Sequence, residues 1–322
     1  MHVPFLSLDQ RIDYLYRRQY FPEGSLTQEA QERIGSFNFH YFLGYARNFR
    51  MLADQNALET AKEPQVLFEL IDHDHRISDE LFSAMRNMEW KLRASIVKHY
   101  CQKYSSVGSF LQTEQYLQMD ADFTPSDMVT SILKHILRYG EGYVVRHIDS
   151  KANELGTERL KSLTARNIDT AKRLAEDLPL WSIIDSFSLG LLSRFIMCCD
   201  NPSTLDEPSA TAGPLWKAVA ADFEIPASIF HSSLRSVTNL RNLVAHHSRL
   251  WMRPTTDSGR PPKKFKEHLR GTDNKAMHLA FINLGMFQGK QAQHISFANQ
   301  ITEMCRENQP YWHGVSRIRR SK

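Results

Sequence analysis

Glycine and proline are scarce in this chain, 14 and 13 among 322 residues, and alternating apolar–polar runs are hard to find. The first shortage removes most of the turn signals that a many-stranded sheet needs, and the second removes the strand pattern itself. The chain therefore reads as all-α. Only four cysteines are present, Cys101, Cys198, Cys199 and Cys305. None form a Cys-x-x-Cys pair, which argues against a zinc ribbon, and nothing suggests a disulfide framework, as suits a reducing cytoplasm. No stretch approaches the roughly 18 apolar residues of a membrane span. The opening Met1-His2-Val3-Pro4 lacks the basic-then-apolar order of a secretory leader. With no phosphate-cradling glycine loop either, ATP and GTP are not implied. The expectation is a cytoplasmic protein without cofactor, metal or membrane contact.

What is present is mildly basic, 40 Lys and Arg against 36 Asp and Glu. The distribution says more than the total. Between Arg249 and Arg270 stand seven basic residues and two acids, Asp257 and Glu267. The tail carries Arg317, Arg319, Arg320 and Lys322, with no acid after Glu307. Such clusters suit phosphate contacts; a solvated loop and a frayed tail are the plainer reading.

Helical punctuation runs along the chain, which reads as one domain over 1–322. Ser7-Leu8-Asp9-Gln10 is a capping box, followed by Leu8, Ile12 and Leu15 at helical spacing. Thr27 can cap a second helix. Phe37, Phe39, Tyr41, Phe42, Tyr45 and Phe49 form an aromatic segment suited to core packing. Pro64 can open a long helix, with Leu81, Phe82, Met85, Met88, Leu92 and Ile96 as one buried stripe. Residues 102–125 read as a polar loop. Pro125 opens a helix that Gly140 and Gly142 interrupt, and residues 151–178 are polar but helical in propensity. Pro202, Pro208 and Pro214 punctuate a surface connection, and Pro226 introduces another helix. The prolines and glycine of 254–262 demand a loop, taken as extending over 254–272. Two last helices are expected near 274–286 and 291–306, before a basic tail over 307–322.

The densest chemical signal lies in 228–253. Leu234, Val237, Leu240 and Val244 form a core stripe. On an ideal helix Asn242, His246 and Arg249 would line a second, polar face, with Arg241 beside it. This set suits metal-free RNA cleavage. A histidine can take the proton of a ribose 2′-OH or give one to the leaving 5′-oxygen, and an arginine can stabilise the charge developing on the phosphorane. Asn242 can orient the histidine or the phosphate. His247 and Arg249 are second-line helpers, and Arg253, Lys263, Lys264 and Lys266 are candidate contacts to the RNA backbone. One histidine serves poorly as both acid and base, so two copies across a two-fold axis are expected. Spacing alone is weak support, because an Arg-x4-His pair arises readily by chance.

Longer strings carry more. Arg241-Asn242-Leu243-Val244-Ala245-His246 resembles the Arg-(Asn/Asp/His)-x3-His signature of the HEPN ribonuclease superfamily. The same string extended through Trp251 resembles the C-terminal signature of the Abi family, the AbiD/AbiF-like group of abortive-infection proteins. Residues 4–12 resemble that family's opening helix. Phe37-Asn38-Phe39-His40-Tyr41-Phe42-Leu43-Gly44-Tyr45 resembles its Tyr-rich element, and 178–193 its mid-chain "Pro-x-Trp … Phe-Gly-x-Leu-Ser" element. Two departures stand out: Met252 where the family often has Asn, and Leu189 where it usually has Phe-Gly. The resemblance implies an all-α, HEPN-like helical bundle with additional helices. It also implies an endoribonuclease toxin acting in phage defence by growth arrest, in some relatives paired with a small antitoxin RNA.

Other groups rank lower. Arg93 and His99 are a candidate second half-site within the chain, although an ideal helix sets them about 120° apart. Asp72-His73-Asp74-His75 looks like a metal cluster, but residues i and i+2 diverge by about 160° on a helix, so it reads as a solvated, charged face. Ser188-x-Gly190 lacks the preceding strand of a nucleophile elbow, and Cys198-Cys199 reads as buried packing. The expected function is a metal-independent endoribonuclease, with RNA as substrate and a homodimer as the working form. The alternative is a non-catalytic module binding RNA or protein.

Overall fold

The computed structural model describes residues 5–54, 62–118, 121–158, 160, 162–200, 214–256, 259 and 261–317. Among these residues there are helices and no strands, so the all-α expectation holds. Two isolated antiparallel bridges, Val107 with Pro179 and Tyr116 with Cys199, are the only β pairings among them.

Local chemistry starts most of the helices. α1 (Leu8–Arg17) begins at the expected box, with Ser7 Oγ accepting from the Gln10 amide and Gln10 Oε1 from the Ser7 amide. Thr27 caps α2 (Gln28–Ser36), and α3 (Phe39–Asp54) carries the aromatic segment. Pro64 is the first residue of α4 (Pro64–Lys103). A second box, Thr124 with Asp127, opens α5 (Pro125–Tyr139), which Gly140 separates from α6 (Gly142–Glu154). α7 (Ile168–Ala175) and α8 (Leu180–Ile183) follow, then α9 (Leu189–Cys198), whose N-cap Ser188 accepts from the Leu191 amide. α10 (Leu215–Asp222), α11 (Ala227–Ala245), α12 (Met277–Gly285), α13 (Gln291–Arg306) and α14 (Gln309–Ser316) complete the order.

Several elements differ from what the local sequence pattern predicts. Among the described residues of 151–178 there are only the end of α6 and the short α7. α12 is shorter than expected, and α14 lies where a basic tail was read; Asn308 caps it and Pro310 sits in its first turn. Of that tail, Arg317 is exposed, whereas Arg319, Arg320 and Lys322 lie outside the described residues, as do Pro202 and Pro208.

The chain divides into two compact units. The first comprises residues 1–84, 239–285 and 295–322. Its core gathers Ile12, Leu15, Phe42, Tyr45 and Phe49 with Leu67, Leu70, Ile71, Ile77 and Leu81, each less than a tenth exposed. α12 is buried on every side, including His278 and Asn283, as a helix apolar nearly all round must be. Burial pushes the His278 imidazole down to about 3, so it stays neutral. Phe82 leaves the expected stripe and is 52% exposed, because it projects beside the buried Leu81 rather than along it.

The second unit comprises residues 85–238 and 286–294. The rest of the stripe, Met85, Met88, Leu92 and Ile96, is buried there and continues to Tyr100. Polar residues 102–125 are a connection with two 3-10 turns, Ser109–Leu111 and Thr113–Gln115, stitched inward by Phe110 and Tyr116. A buried ion pair, Lys103 with Asp200, is completed by the Tyr104 hydroxyl at 2.7 Å and the Leu215 amide. Cys198 and Cys199 are buried free thiols, as expected. No helix among the described residues is long and apolar enough to cross a membrane.

Candidate functional site

α11 ends on a Schellman motif. The Ser248 amide reaches back to the Leu243 carbonyl (2.8 Å) and the His247 amide to Val244 (3.0 Å), with His247 in the left-handed region at φ 50°. His246 is therefore the last residue of the helical spiral and is exposed, as are Asn242 and His247; Arg241 is half-buried. The core stripe Leu234, Val237, Leu240 and Val244 is buried throughout.

Helical geometry settles one reading and this ending changes another. Helical geometry sets Arg241 about 140° from His246, on the flank near the core stripe, while Asn242 and His246 share the solvent side. Arg249 is no longer helical and does not continue the Asn242–His246 face, as an unbroken helix would require. Its half-buried guanidinium donates to the Gly44 carbonyl and lies 5.6 Å from the Tyr45 ring centroid. A Cβ at Gly44 would stand 3.7 Å from the guanidinium carbon, an ordinary van der Waals contact, so this approach does not itself require glycine.

Because non-glycine residues pay for φ near +50°, His247→Gly is expected to raise stability by up to about 1 kcal/mol. His247→Val should lower it. Denaturant midpoints of the two variants against the parent measure both. Met252 is also left-handed, at φ 54°. Asparagine tolerates that region better than methionine, which gives a physical sense to the asparagine of the family pattern.

A loop of basic residues begins beside the same face. Asn239, three residues before Asn242 and on the same side of α11, donates to Thr256 Oγ1 at 3.1 Å. The Thr255 amide donates to Lys275 O (2.8 Å) and Asn283 Nδ2 to Gly259 O (2.9 Å). Phe265 is fully buried in a 3-10 turn, Lys263–Phe265, and His268 pairs with Asn299 at 2.7 Å. These anchors leave Arg253, Lys263 and Lys266 exposed, while Lys264 is half-buried over the Phe265 ring. The expectation of a loop here holds; Asp257, Ser258 and Arg260 lie outside the described residues.

Arg93 and His99 are not brought to each other by their contacts. Arg93 donates to Phe187 O (3.0 Å) and Ile184 O (3.4 Å) and pairs with Glu89. His99 Nε2 lies 2.9 Å from Asp222 Oδ2, which also accepts from Ser95 Oγ at 2.8 Å.

The reading of residues 72–75 as a solvated face is overturned at its centre. Asp74 is 1% exposed and His73 7%; only Asp72 and His75 face solvent. Asp74 Oδ2 accepts from the Tyr45 hydroxyl and from the backbone amides of Leu250 (3.1 Å) and Trp251 (3.4 Å), and Oδ1 from the Tyr311 hydroxyl (3.0 Å). Burial pushes this carboxyl up, against the pull of its four donors. Tyr41 extends the network, 3.0 Å from both the Tyr45 hydroxyl and His75 Nε2. The signal was available. Asp74 occupies an apolar-stripe position on α4, in series with Leu67, Leu70, Ile71, Ile77 and Leu81, and a charge there has to be satisfied internally. Among the described residues, no three His, Cys, Asp or Glu side chains are grouped so as to hold a metal ion.

A family model described as Abi-like protein matches residues 32–252. The match spans α3, Asp74 and the His246 turn and ends just after Trp251, before the basic loop. No curated protein and no solved structure matches the chain.

Proposed function

The chain belongs to the Abi-like protein family, and from that footing we propose that it acts in abortive-infection defence against phage by cutting RNA at His246. The observation that carries this reading is an exposed imidazole on a hydrogen-bonded helix-ending turn, sharing its side of α11 with Asn242 and with the root of an anchored basic loop. The ribose 2′-oxygen attacks the adjacent phosphorus and the bond to the 5′-oxygen breaks, leaving a 2′,3′-cyclic phosphate. His246 takes the 2′-OH proton or protonates the departing 5′-oxygen. Asn242 orients the phosphate, and no metal is required of this residue set. Because Arg241 stands well round the helix from His246, a second copy of the chain supplies the complementary histidine and the guanidinium that meets the phosphorane. The target RNA, or a small regulatory RNA, lies along Arg253, Lys263, Lys264 and Lys266.

Incubating the protein with total RNA in EDTA tests the reaction. Fragments ending in cyclic phosphate support it; intact RNA after prolonged incubation removes it. The placement of Arg241 near the core stripe favours one other reading, a non-catalytic RNA-binding module, which would give a mobility shift without fragments. Both readings expect the loop to contact phosphates. Removing Lys263 or Lys266 should then lower the slope of log affinity against log salt by about 0.7–1 each, measured by titration between low and moderate salt. An unchanged slope would place the RNA elsewhere.

A further inference from the structure

The strap that follows His246 is bound at nearly every residue, and its central partner is a carboxylate almost wholly removed from solvent. Arg249 holds the Gly44 carbonyl on α3. Trp251 Nε1 donates to Pro310 O on α14 at 2.8 Å, and the Met252 amide donates to Gly314 O at 3.1 Å. Between them the amides of Leu250 and Trp251, both residues fully buried, converge on Asp74 of α4. These two contacts differ in kind from the others. They hold the main chain itself, four and five residues beyond His246, and the acceptor is an ionisable group that two buried tyrosines also address. The other end of the turn is held by the Schellman bonds to α11. His246 thus sits on a short segment clamped at both ends, once by its own helix and once by Asp74.

We propose that Asp74 is the positioning residue of the His246 turn, setting where the imidazole and Asn242 stand through its hold on the Leu250 and Trp251 amides. Asp74 is too deeply buried to touch RNA, so its action runs through the backbone. The inference rests on the proposed nuclease reading for its catalytic consequence, but not for its structural one. A second effect follows from charge. A carboxylate accepts more strongly than a neutral amide oxygen, so an asparagine at this position should hold the turn, though less firmly. An apolar side chain of similar size cannot hold it at all, because it leaves both buried amides without their acceptor.

The test compares Asp74→Leu, Asp74→Asn and Tyr311→Phe with the parent in the full-length protein. Two measurements are made: hydrogen exchange at the Leu250 and Trp251 amides, with the amides of α12 as the control for global opening, and RNA cleavage kinetics. For Asp74→Leu, exchange at the two amides should accelerate by about 100-fold while α12 changes less than about threefold. The kcat should fall about 100-fold, the scale of an ångström-sized displacement of a reacting group, with KM held within about threefold because the basic loop is anchored elsewhere. Asp74→Asn should recover to within about tenfold of the parent in both measurements. Parent-like exchange at both amides in Asp74→Leu, or opened amides with kcat unchanged, overturns the proposal. If Asp74→Leu does not fold, Asp74→Asn must still open the two amides more than Tyr311→Phe, which keeps the carboxylate; equal or smaller opening overturns it. A parent that cuts no RNA sinks the nuclease reading alone, and the exchange comparison then decides the role of Asp74.

Discussion

His246→Ala is expected to abolish RNA cutting while leaving the protein folded. The side chain is exposed at the C-terminal end of α11, and the bonds that close the turn there use the backbone of His247 and Ser248, not the imidazole. Its removal therefore empties no core space and breaks no cap. Surface substitutions of this kind usually stay within about 0.5 kcal/mol of the parent. Loss of the group that moves the proton should cost on the order of 100- to 10,000-fold in rate. Arg241→Ala, by contrast, combines a loss of activity with some loss of stability, because that side chain is half-buried along the core stripe. The measurement pairs a cleavage time course with a thermal melt for each variant. A purified His246→Ala protein that cuts RNA as fast as the parent would remove His246 from the chemistry.

Gly314→Ala should be among the most destabilising single substitutions in the chain, and its cost should collapse when Trp251 is also shortened. A Cβ on Gly314 would stand 2.0 Å from the Trp251 indole nitrogen and 2.3 Å from its neighbouring ring carbon. The indole has no room to retreat. It is fully buried, stacked on Tyr45 at 6.2 Å between centroids, and tied by its N–H to Pro310 O. Forced overpacking costs about 1–3 kcal/mol and occasionally more, and so close an approach to a side chain that cannot move belongs at the upper end. Trp251→Ala alone leaves a ring-sized cavity and should cost about 3–5 kcal/mol. In the double variant the added methyl enters space that the indole has vacated, so the two penalties should fall short of their sum by at least about 2 kcal/mol. Denaturant unfolding of the four proteins closes the cycle. Additive penalties would mean that Gly314 and Trp251 do not pack against each other.

The two predictions separate roles that one contiguous string of residues had merged. His246 and Asn242 face solvent, whereas Arg249, Leu250 and Trp251 are spent on docking that string to α3, α4 and α14. Their partners on α3 and α4 lie far off in sequence, 205 residues for Gly44 and Arg249 and 176 for Asp74 and Leu250, and no local pattern announces such pairings. Phe82 shows the same limit from the other side. It is apolar and correctly spaced, yet half exposed, because a periodic stripe says which face is buried on average and not where its edge falls.

Local interactions wrote most of the secondary structure. The capping boxes at Ser7 and Thr124, the proline opening α4, the glycine break after Tyr139 and the proline-rich loop after Arg253 each act over three or four residues, within reach of sequence reading alone. The all-α class follows from them and from the missing strand periodicity. Tertiary structure alone decided that Asp74 is buried and that Arg249, Leu250 and Trp251 are docked on α3, α4 and α14. In each case a backbone or side-chain group had to find its hydrogen-bond partner in a distant element. Burying an unmet donor or charge costs more than any local propensity can offset.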